Sequence, residues 1–505
     1  MKLTKYDLLS LSVLFMFSYI MFFYKYDSLP LLVWDESRIA NNALEMAFFK
    51  SGILPTYYGV VDHWNTKPPL LIWIIATFMK MGIEPLLSLR LPSILSAIAT
   101  MVVAWGFCRY VLEDILAGTL SWLFLFTSQN FIGYHAAKTG DYDCLLSFLI
   151  FSYSILFWLA IEKCQEKINI KLILLSAFCF FLSVMTKGIA AFFPILGISI
   201  FVIVKKNRKF ITLNSSVWAI YITAFFICLG YYFIRNMYDT GYLEAVWINE
   251  LGGRFFEVNE GHNPSFWYYP KRLLMGFFPG IFGVFFSIIS IKFFKNHTAS
   301  AILFCLLCGC SILLIIMVAK THLFWYTTPI IPFLSVAAAL GTSSFIQLMK
   351  EKKQKLLGLF DHKRISAGLL SFLIVIGILT IYRNNVEIIS EYQKTPYGYL
   401  WYGQFFNKVF HKDFSGRPTV YILDNGYKDT AGLQNYNPVL KFYIDLNSFK
   451  NKVQLIRELK SNFDSGDYIL TCDYRCYGIF DNTYEVKKLF EDRWCKFGII
   501  RPQIE

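Results

Sequence analysis

The 505-residue chain is 56% hydrophobic and 18% aromatic, with only 16% charged residues and a mean hydropathy of +0.46. Soluble domains carry roughly 25% charged residues, so a water-soluble globular protein is excluded and a polytopic membrane protein is expected. The net charge of +13 does not mark a nucleic-acid binder, because the basic residues sit in short loops between apolar runs: Lys2 and Lys5, Lys163, Lys167 and Lys171, "KKNRK" at 205–209, "KFFK" at 292–295 and "KEKKQK" at 350–355. That placement is the positive-inside pattern of cytoplasmic loops.

In chain order, segments apolar enough to cross a bilayer, roughly 17–25 residues each, fall near 8–24, 89–110, 115–132, 144–161, 172–186, 189–204, 212–234, 272–291, 299–319, 323–345 and 365–382. That makes about eleven spans. The first lacks a small-residue cleavage site and reads as a retained span, not a signal peptide. Segments 172–186 and 189–204 are short and share the "TKG" break at 186–188, which reads as a tight hairpin. "PPLLIWIIATFMKMG", 68–82, is apolar but short and interrupted by Lys80. As an interfacial helix it keeps every lysine-rich loop on one side.

The N-terminus is then cytoplasmic. Loops 25–88, 133–143, 235–271, the turn at 186–188, "AKTH" at 319–322 and the C-terminal region are extracytoplasmic. The expected architecture is an all-α polytopic membrane domain over 1–382, followed by a small extracytoplasmic α/β domain over 383–505. In that domain "TVYILD" (419–424) and "DYILTC" (467–472) read as strands and "QLIRELKS" (454–461) as an amphipathic helix. Cys305, Cys308 and Cys310 lie in an apolar run, where cysteine acts as a small hydrophobe. Cys472 and Cys476 of "CDYRC" are candidates for a disulfide in an extracytoplasmic domain. A zinc site there lacks a second Cys or His pair nearby.

Two acidic clusters fall on the predicted outer face. Asp35 and Glu36 open "DESRIANNALEMAFFKSG", a helix along the membrane with Gly52 as its stop. Acidic residues in a first turn suit the helix dipole, so helix capping explains them locally. An ionised Asp35 also accepts a proton from a bound hydroxyl. The second cluster is "KTGDYDCLL", where Asp141 and Asp143 flank Tyr142 with Lys138 behind them. A solvated loop capped by Asp143 explains it in isolation, but ionisable residues at a membrane boundary often mark a site. Cations share this face: Lys67, Lys187, Arg235, Arg254, Lys320 and His322. Each alone suits a snorkelling side chain. Carboxylates and cations together point to a phosphorylated lipid substrate and proton abstraction. The chain has no "GxxxxGK[ST]" loop for a nucleotide.

The order "WDESR", "KPPLLIW", "RLPS" (90–93), "TGDYDCLLSF", "MTKG", "GHNPSFWYYP" (261–270) and "AKTHLFWYTTPIIP" (319–332) resembles the GT-C superfamily of membrane glycosyltransferases. It is most similar to the dolichyl-phosphate-mannose protein mannosyltransferases and the lipid A aminoarabinose transferase, over about the first 345 residues. The resemblance implies an inverting hexosyl- or pentosyltransferase of the bacterial inner membrane. It would move a sugar from an undecaprenyl-phosphate-type donor to a hydroxyl or phosphate of lipid A, lipopolysaccharide or protein on the extracytoplasmic face. Asp35 matches the base, Glu36 the second acid of the pair, Asp143 the acid five positions after a basic residue (here Lys138), and Lys67 the lysine of "KPPL". Asp141, Lys187, Arg235, Arg254 and Lys320 join the substrate-binding set. His262 resembles a histidine near a metal in the aminoarabinose transferase, but the acid preceding the lysine there is Thr66 here. A bound metal is therefore not expected to be required, and no other cofactor is implied. A lipid-linked-sugar transporter or flippase is the alternative; it should show inverted repeats and midplane charges, which this sequence lacks.

Overall fold

The computed structural model describes residues 3–49, 52–162, 168–204, 214–256, 265–291, 297–353, 362–394, 400–409, 419–426, 436–449, 454–457 and 463–501. It divides into two compact units. The first comprises Met1–Tyr24, Asp62–Ile74 and Arg90–Asn384; the second comprises Lys25–Val61, Ile75–Leu89 and Asn385–Glu505.

Among the described residues eight helices are long and apolar enough to cross a membrane: Lys5–Phe23, Pro85–Val111, Tyr142–Glu162, Ile170–Phe192, Ser215–Tyr238, His297–Val318, Phe324–Met349 and Ser366–Tyr392. Three other expected spans are not single long helices. Segment 115–132 breaks at Ser128, whose extended backbone separates Ile115–Thr127 from Gln129–Ile132. Segment 189–204 begins as a 3₁₀ turn, and only Ile195–Val204, after Pro194, is α-helical. Segment 272–291 is bent by 104° between Tyr268–Gly276 and Gly280–Ser290, where Pro279 cannot continue a helix from the residue before it. The interfacial candidate is a helix over Leu70–Lys80, about 17 Å long at 1.5 Å per residue and too short to cross.

Small residues let the helices of the first unit approach closely. A Cβ on Gly341 would lie 2.3 Å from the Ser287 backbone nitrogen, and one on Gly283 would lie 2.7 Å from the Ala338 carbonyl. At the start of the chain Thr4 and Asp7 form a capping box. The Arg109 fork then closes on the same buried carboxylate at 2.6 and 3.1 Å. At the "TKG" break the turn falls on Gly188, with φ +54°, where a Cβ would meet the Tyr232 hydroxyl at 2.6 Å.

In the second unit, helix Asp35–Phe48 ends at Phe49, three residues before the expected Gly52 stop. Its Glu45 forms an ion pair with Lys441 at 2.7 Å and accepts hydrogen bonds from Thr56 Oγ1 and the Tyr58 N–H, organising the hairpin of β1 (Thr56–Tyr57) and β2 (Val60–Val61). Asn41 donates to the Pro438 carbonyl at 2.7 Å, fixing this helix on Pro438–Phe449. The tail carries a five-stranded sheet of β3 (Thr419–Ile422), β4 (Gln454–Arg457), β5 (Tyr468–Thr471), β6 (Val486–Glu491) and β7 (Lys496–Ile500). Their spatial order is β4-β3-β5-β7-β6. β3 is parallel to both β4 and β5, and β7 is antiparallel to β5 and β6.

The predicted tail strands are present, but the predicted helix at 454–461 is corrected. Residues 454–457 form β4, paired from Thr419↔Gln454 to Ile422↔Arg457; the rest of that stretch lies outside the described residues. A short apolar run is ambiguous between helix and strand, and parallel pairing with β3 decides it. Of the two candidate cysteines, Cys472 is bonded to Cys495 instead, and Cys476 is a free, buried thiol. Replacing Cys472 and Cys495 by Ser is expected to lower the stability of the tail by about 2–4 kcal/mol, with Cys476→Ser costing clearly less. Thermal unfolding of the three proteins, with and without reductant, measures the difference.

Candidate active site

The site of the first unit is built around the loop from Asp62 to Lys67, which is held by its backbone. Arg235, on helix Ser215–Tyr238, is fully buried. It donates to the carbonyls of Asp62, Asn65 and Lys67 at 3.2–3.4 Å and to the Tyr231 hydroxyl at 3.3 Å. Its guanidinium also lies 3.9 Å from the Tyr242 ring centroid, and the Tyr242 hydroxyl donates to the Thr66 carbonyl at 2.8 Å. Asn65 and Tyr142 exchange hydrogen bonds at 3.0–3.2 Å. A guanidinium with five donors can hold several carbonyls at once. Arg235, expected among the phosphate ligands, is here engaged in positioning this loop.

Two ion pairs complete the site, the first of them at the end of this loop. Lys67 Nζ lies 3.4 Å from Glu250 Oε1, and Thr66 Oγ1 donates to the same oxygen at 2.9 Å. Glu250, from the helical turn Trp247–Gly252, thus meets both Thr66 and Lys67. Lys187, at the end of helix Ile170–Lys187, donates to both oxygens of Asp143 at 2.7 and 2.8 Å. Asp143, Lys187 and Glu250 line one small cavity of about 60 Å³. Lys67, Lys187 and Glu250 also line a larger one of about 340 Å³, walled by Ile189, Phe192, Phe225, Tyr232 and Trp247. Phe192 and Phe225 also line a further apolar cavity of about 400 Å³, with Val202, Ile203 and Trp218. Charge therefore sits in cavities whose other walls are largely apolar.

Beside the Asp143 pair, buried Asp141 accepts from Thr139 Oγ1 and lies 3.4 Å from His135 Nδ1. Burial pushes the Asp141 carboxyl up, but His135, Thr139 and Lys187 outweigh it and hold it below the usual carboxylate range. His135 stacks on Trp325 at 3.8 Å. An imidazole and a carboxylate are donor types that a divalent cation accepts.

Lys138 donates to the Asn384 carbonyl at 2.7 Å. Burial, and then the neighbouring Arg90, bring its ammonium down to about 7. An unfolded lysine titrates near ~10.4, so between about pH 7 and 10 the unfolded chain holds more protons than the folded one. Stability is therefore expected to rise with pH across that window, by up to about 1.4 kcal/mol per unit. Lys138→Met should remove this slope, leaving the variant ahead of wild type at pH 6 and level with it near pH 10. Thermal unfolding in detergent from pH 6 to 10 tests it.

Asp35 and Glu36 belong to the second unit. Both lie in the first turn of helix Asp35–Phe48, after Trp34 with φ +75°. Glu36 is buried and accepts the Leu32 N–H at 2.9 Å, whereas Asp35 is half-buried. Lys320 is exposed after the span that ends at Val318. Arg254 lies on Gly253–Phe256, with a side chain outside the description, and His262 lies outside the described residues.

The profile of the dolichyl-phosphate-mannose-protein mannosyltransferase family matches residues 66–232, which include Lys67, Lys138, Asp141, Asp143 and Lys187. No curated protein matches the sequence. Two solved structures match nearly the whole chain. ArnT from Cupriavidus metallidurans bound to undecaprenyl phosphate aligns with a TM-score of 0.66 at 12% identity, covering 98% of each chain. The apo state of the same enzyme gives 0.64 at 12% identity and 97% of each chain. The fold is that of a GT-C membrane glycosyltransferase. Within this GT-C fold the sequence located Lys67, Asp143 and Lys187, which the structure brings together. It missed Glu250, Tyr242 and Asp239. Their only sequence signal is a run of acids and aromatics over 239–250 inside a predicted outer loop.

Proposed function

We propose that the protein is an integral membrane glycosyltransferase that moves a sugar from a polyprenyl-phosphate donor to an oxygen nucleophile on the extracytoplasmic face of a bacterial inner membrane. The observation that carries this reading is the pairing of Lys67 and Lys187 with Glu250 and Asp143 beside a cavity with aromatic walls. An isoprenoid chain suits the aromatic walls, and its phosphate suits the two lysines. The ArnT structure with undecaprenyl phosphate and the family profile support the same donor class. As the glycosidic bond breaks, charge builds on the leaving phosphate oxygen, and a lysine fixed beside it stabilises that charge more than the ground state. Asp35 takes the proton of the acceptor, a hydroxyl or phosphate of lipid A, lipopolysaccharide or protein, and the sugar is transferred with inversion. The sugar–phosphate bond supplies the driving force, and Lys67 and Lys187 are proposed to stabilise the leaving phosphate without a metal.

The tail disulfide supports an extracytoplasmic second unit, since such bonds persist in oxidising compartments. The deciding experiment is sugar transfer from a labelled polyprenyl-phosphate sugar to membrane acceptors by the purified protein, with and without chelator. Transfer that survives chelation is expected. Donor binding without any transfer would favour a lipid-linked-sugar carrier instead, and loss of transfer on chelation would restore the metal.

A further inference from the structure

Trp34, the residue before Asp35, has φ +75° and ψ −116°. That is the mirror image of the extended region, which glycine enters freely and a bulky L-residue adopts only under constraint. Strain of this kind persists where the surroundings over-determine it. From the helix side, the Trp34 carbonyl accepts the Arg38 N–H at 2.9 Å and the Ser37 hydroxyl at 3.2 Å. From the other side comes Tyr436. Its ring lies 5.7 Å from the Trp34 ring, tilted by 31°, and its hydroxyl accepts from Arg38 Nη1 at 3.4 Å. One tail residue thus grips the chain both before and after Asp35.

Tyr436 is itself placed by the sheet. Its neighbour Asn437 donates to both oxygens of buried Asp424 at 3.2 Å. Asp424 follows β3 and also takes the Arg457 guanidinium, from the end of β4, at 2.8 Å and the Tyr402 hydroxyl at 3.0 Å. Asn437 then accepts the Leu440 N–H in the first turn of helix Pro438–Phe449. Further along, the Pro438 carbonyl takes Asn41 and Lys441 pairs with Glu45, both at 2.7 Å. Arg38, Asn41 and Glu45 are three and four residues apart and so share one face of their helix. That face is registered on residues 436–441 along its length, and the first turn meets them through Tyr436.

We infer that the tail positions Asp35, and that Tyr436 is the positioning residue through which it does so. The inference rests on Asp35 being the base of the transfer reaction. With the Tyr436 ring in place, Trp34 is held in its strained backbone and the first helical turn, with Asp35 in it, keeps one direction. Without the ring, Trp34 relaxes towards an ordinary extended backbone and the turn moves. A misplacement of about 1 Å in a reacting group costs on the order of 10²-fold in rate. Tyr436 acts on transfer through Trp34 and Arg38, so its loss should slow turnover and spare donor affinity.

Tyr436→Leu and Tyr436→Phe, each in the full chain in detergent, test this. Hydrogen exchange is read at the Ser37 and Arg38 amides, which close the first turn on the Leu32 and Trp34 carbonyls. Tyr436→Leu should speed exchange there about tenfold and leave helix Pro438–Phe449 protected. Its kcat should fall about tenfold or more with donor KM within about twofold, the pattern of an interaction that matters in the transition state only. Tyr436→Phe keeps the ring and should stay near wild type in both. Unchanged exchange or unchanged kcat in Tyr436→Leu overturns the inference. So does protection lost through helix Pro438–Phe449 as well, which would make Tyr436 part of the tail's own fold. Exchange needs no donor, so the grip on Trp34 is read independently of sugar transfer; a wild type that transfers no sugar would strike the role of Asp35 itself.

Discussion

Asp35→Asn is expected to lower sugar transfer on the order of 10²-fold or more while the protein folds and unfolds as before. The swap keeps the shape of the side chain and removes its charge. Asp35 lies in the first turn of helix Asp35–Phe48, where a carboxylate is favoured by the helix dipole by at most about 1 kcal/mol. If dipole compensation were its whole role, the variant would lose that much stability and keep its turnover. Glu36 gives the contrast: it is buried, and its carboxylate holds the Leu32 N–H. Glu36→Gln should cost stability, about 1–3 kcal/mol, more than it costs rate per folded molecule. Rates normalised to folded protein, with melting temperatures alongside, separate the two residues. Normal turnover by Asp35→Asn would remove Asp35 from the reaction.

The spans were legible because apolar length is a one-dimensional property that needs no knowledge of neighbours. Where the reading failed, backbone breaks decided the matter. Ser128 and Pro279 interrupt segments whose composition is still that of a span. In the tail, β4 is fixed by pairing with β3, a contact that residues 454–457 cannot signal alone. The disulfide follows the same logic. Spacing suggested Cys476, whereas the sheet brings Cys495 to Cys472, since Thr471 at the end of β5 is registered with Lys496 at the start of β7.

In the site, the types of charge were readable but their partners were not. Asp143 and Lys187 lie 44 residues apart and Thr66 and Glu250 lie 184 apart, so only the fold tells a cation that borders a cavity from one enclosed in a loop. Lys67, Lys187 and Arg235 look alike in sequence. In the structure the first two border a cavity and Arg235 holds a loop. Arg272 and His322 show the converse. Arg272 opens a predicted span and His322 stands among the outer-face cations, and neither position signals that the Arg272 Nε and both His322 ring nitrogens are buried without a partner.

Arg235→Gln should destabilise the protein by about 3–5 kcal/mol, the range for removing one member of a buried charge network. The glutamine cannot span the carbonyls of Asp62, Asn65 and Lys67, and Asp239, 3.5 Å from the guanidinium, is left with the His63 imidazole at 2.6 Å. Arg235→Lys should recover only a small part of this, because an ammonium lacks the planar fork that holds several acceptors. Tyr242→Phe, which removes one hydrogen bond to the Thr66 carbonyl, should cost about 1 kcal/mol. Because both residues hold the same loop, their effects should not add: a coupling of about 0.5–3 kcal/mol is expected in the double variant. Transfer should fall through displacement of Lys67, altering kcat and donor KM together, and limited proteolysis within 62–67 should accelerate in step. A direct phosphate ligand would behave differently, raising donor KM at unchanged melting temperature and with the loop still protected. That pattern in Arg235→Gln would return Arg235 to the substrate, while lowered stability with an exposed loop keeps it as the residue that positions Lys67.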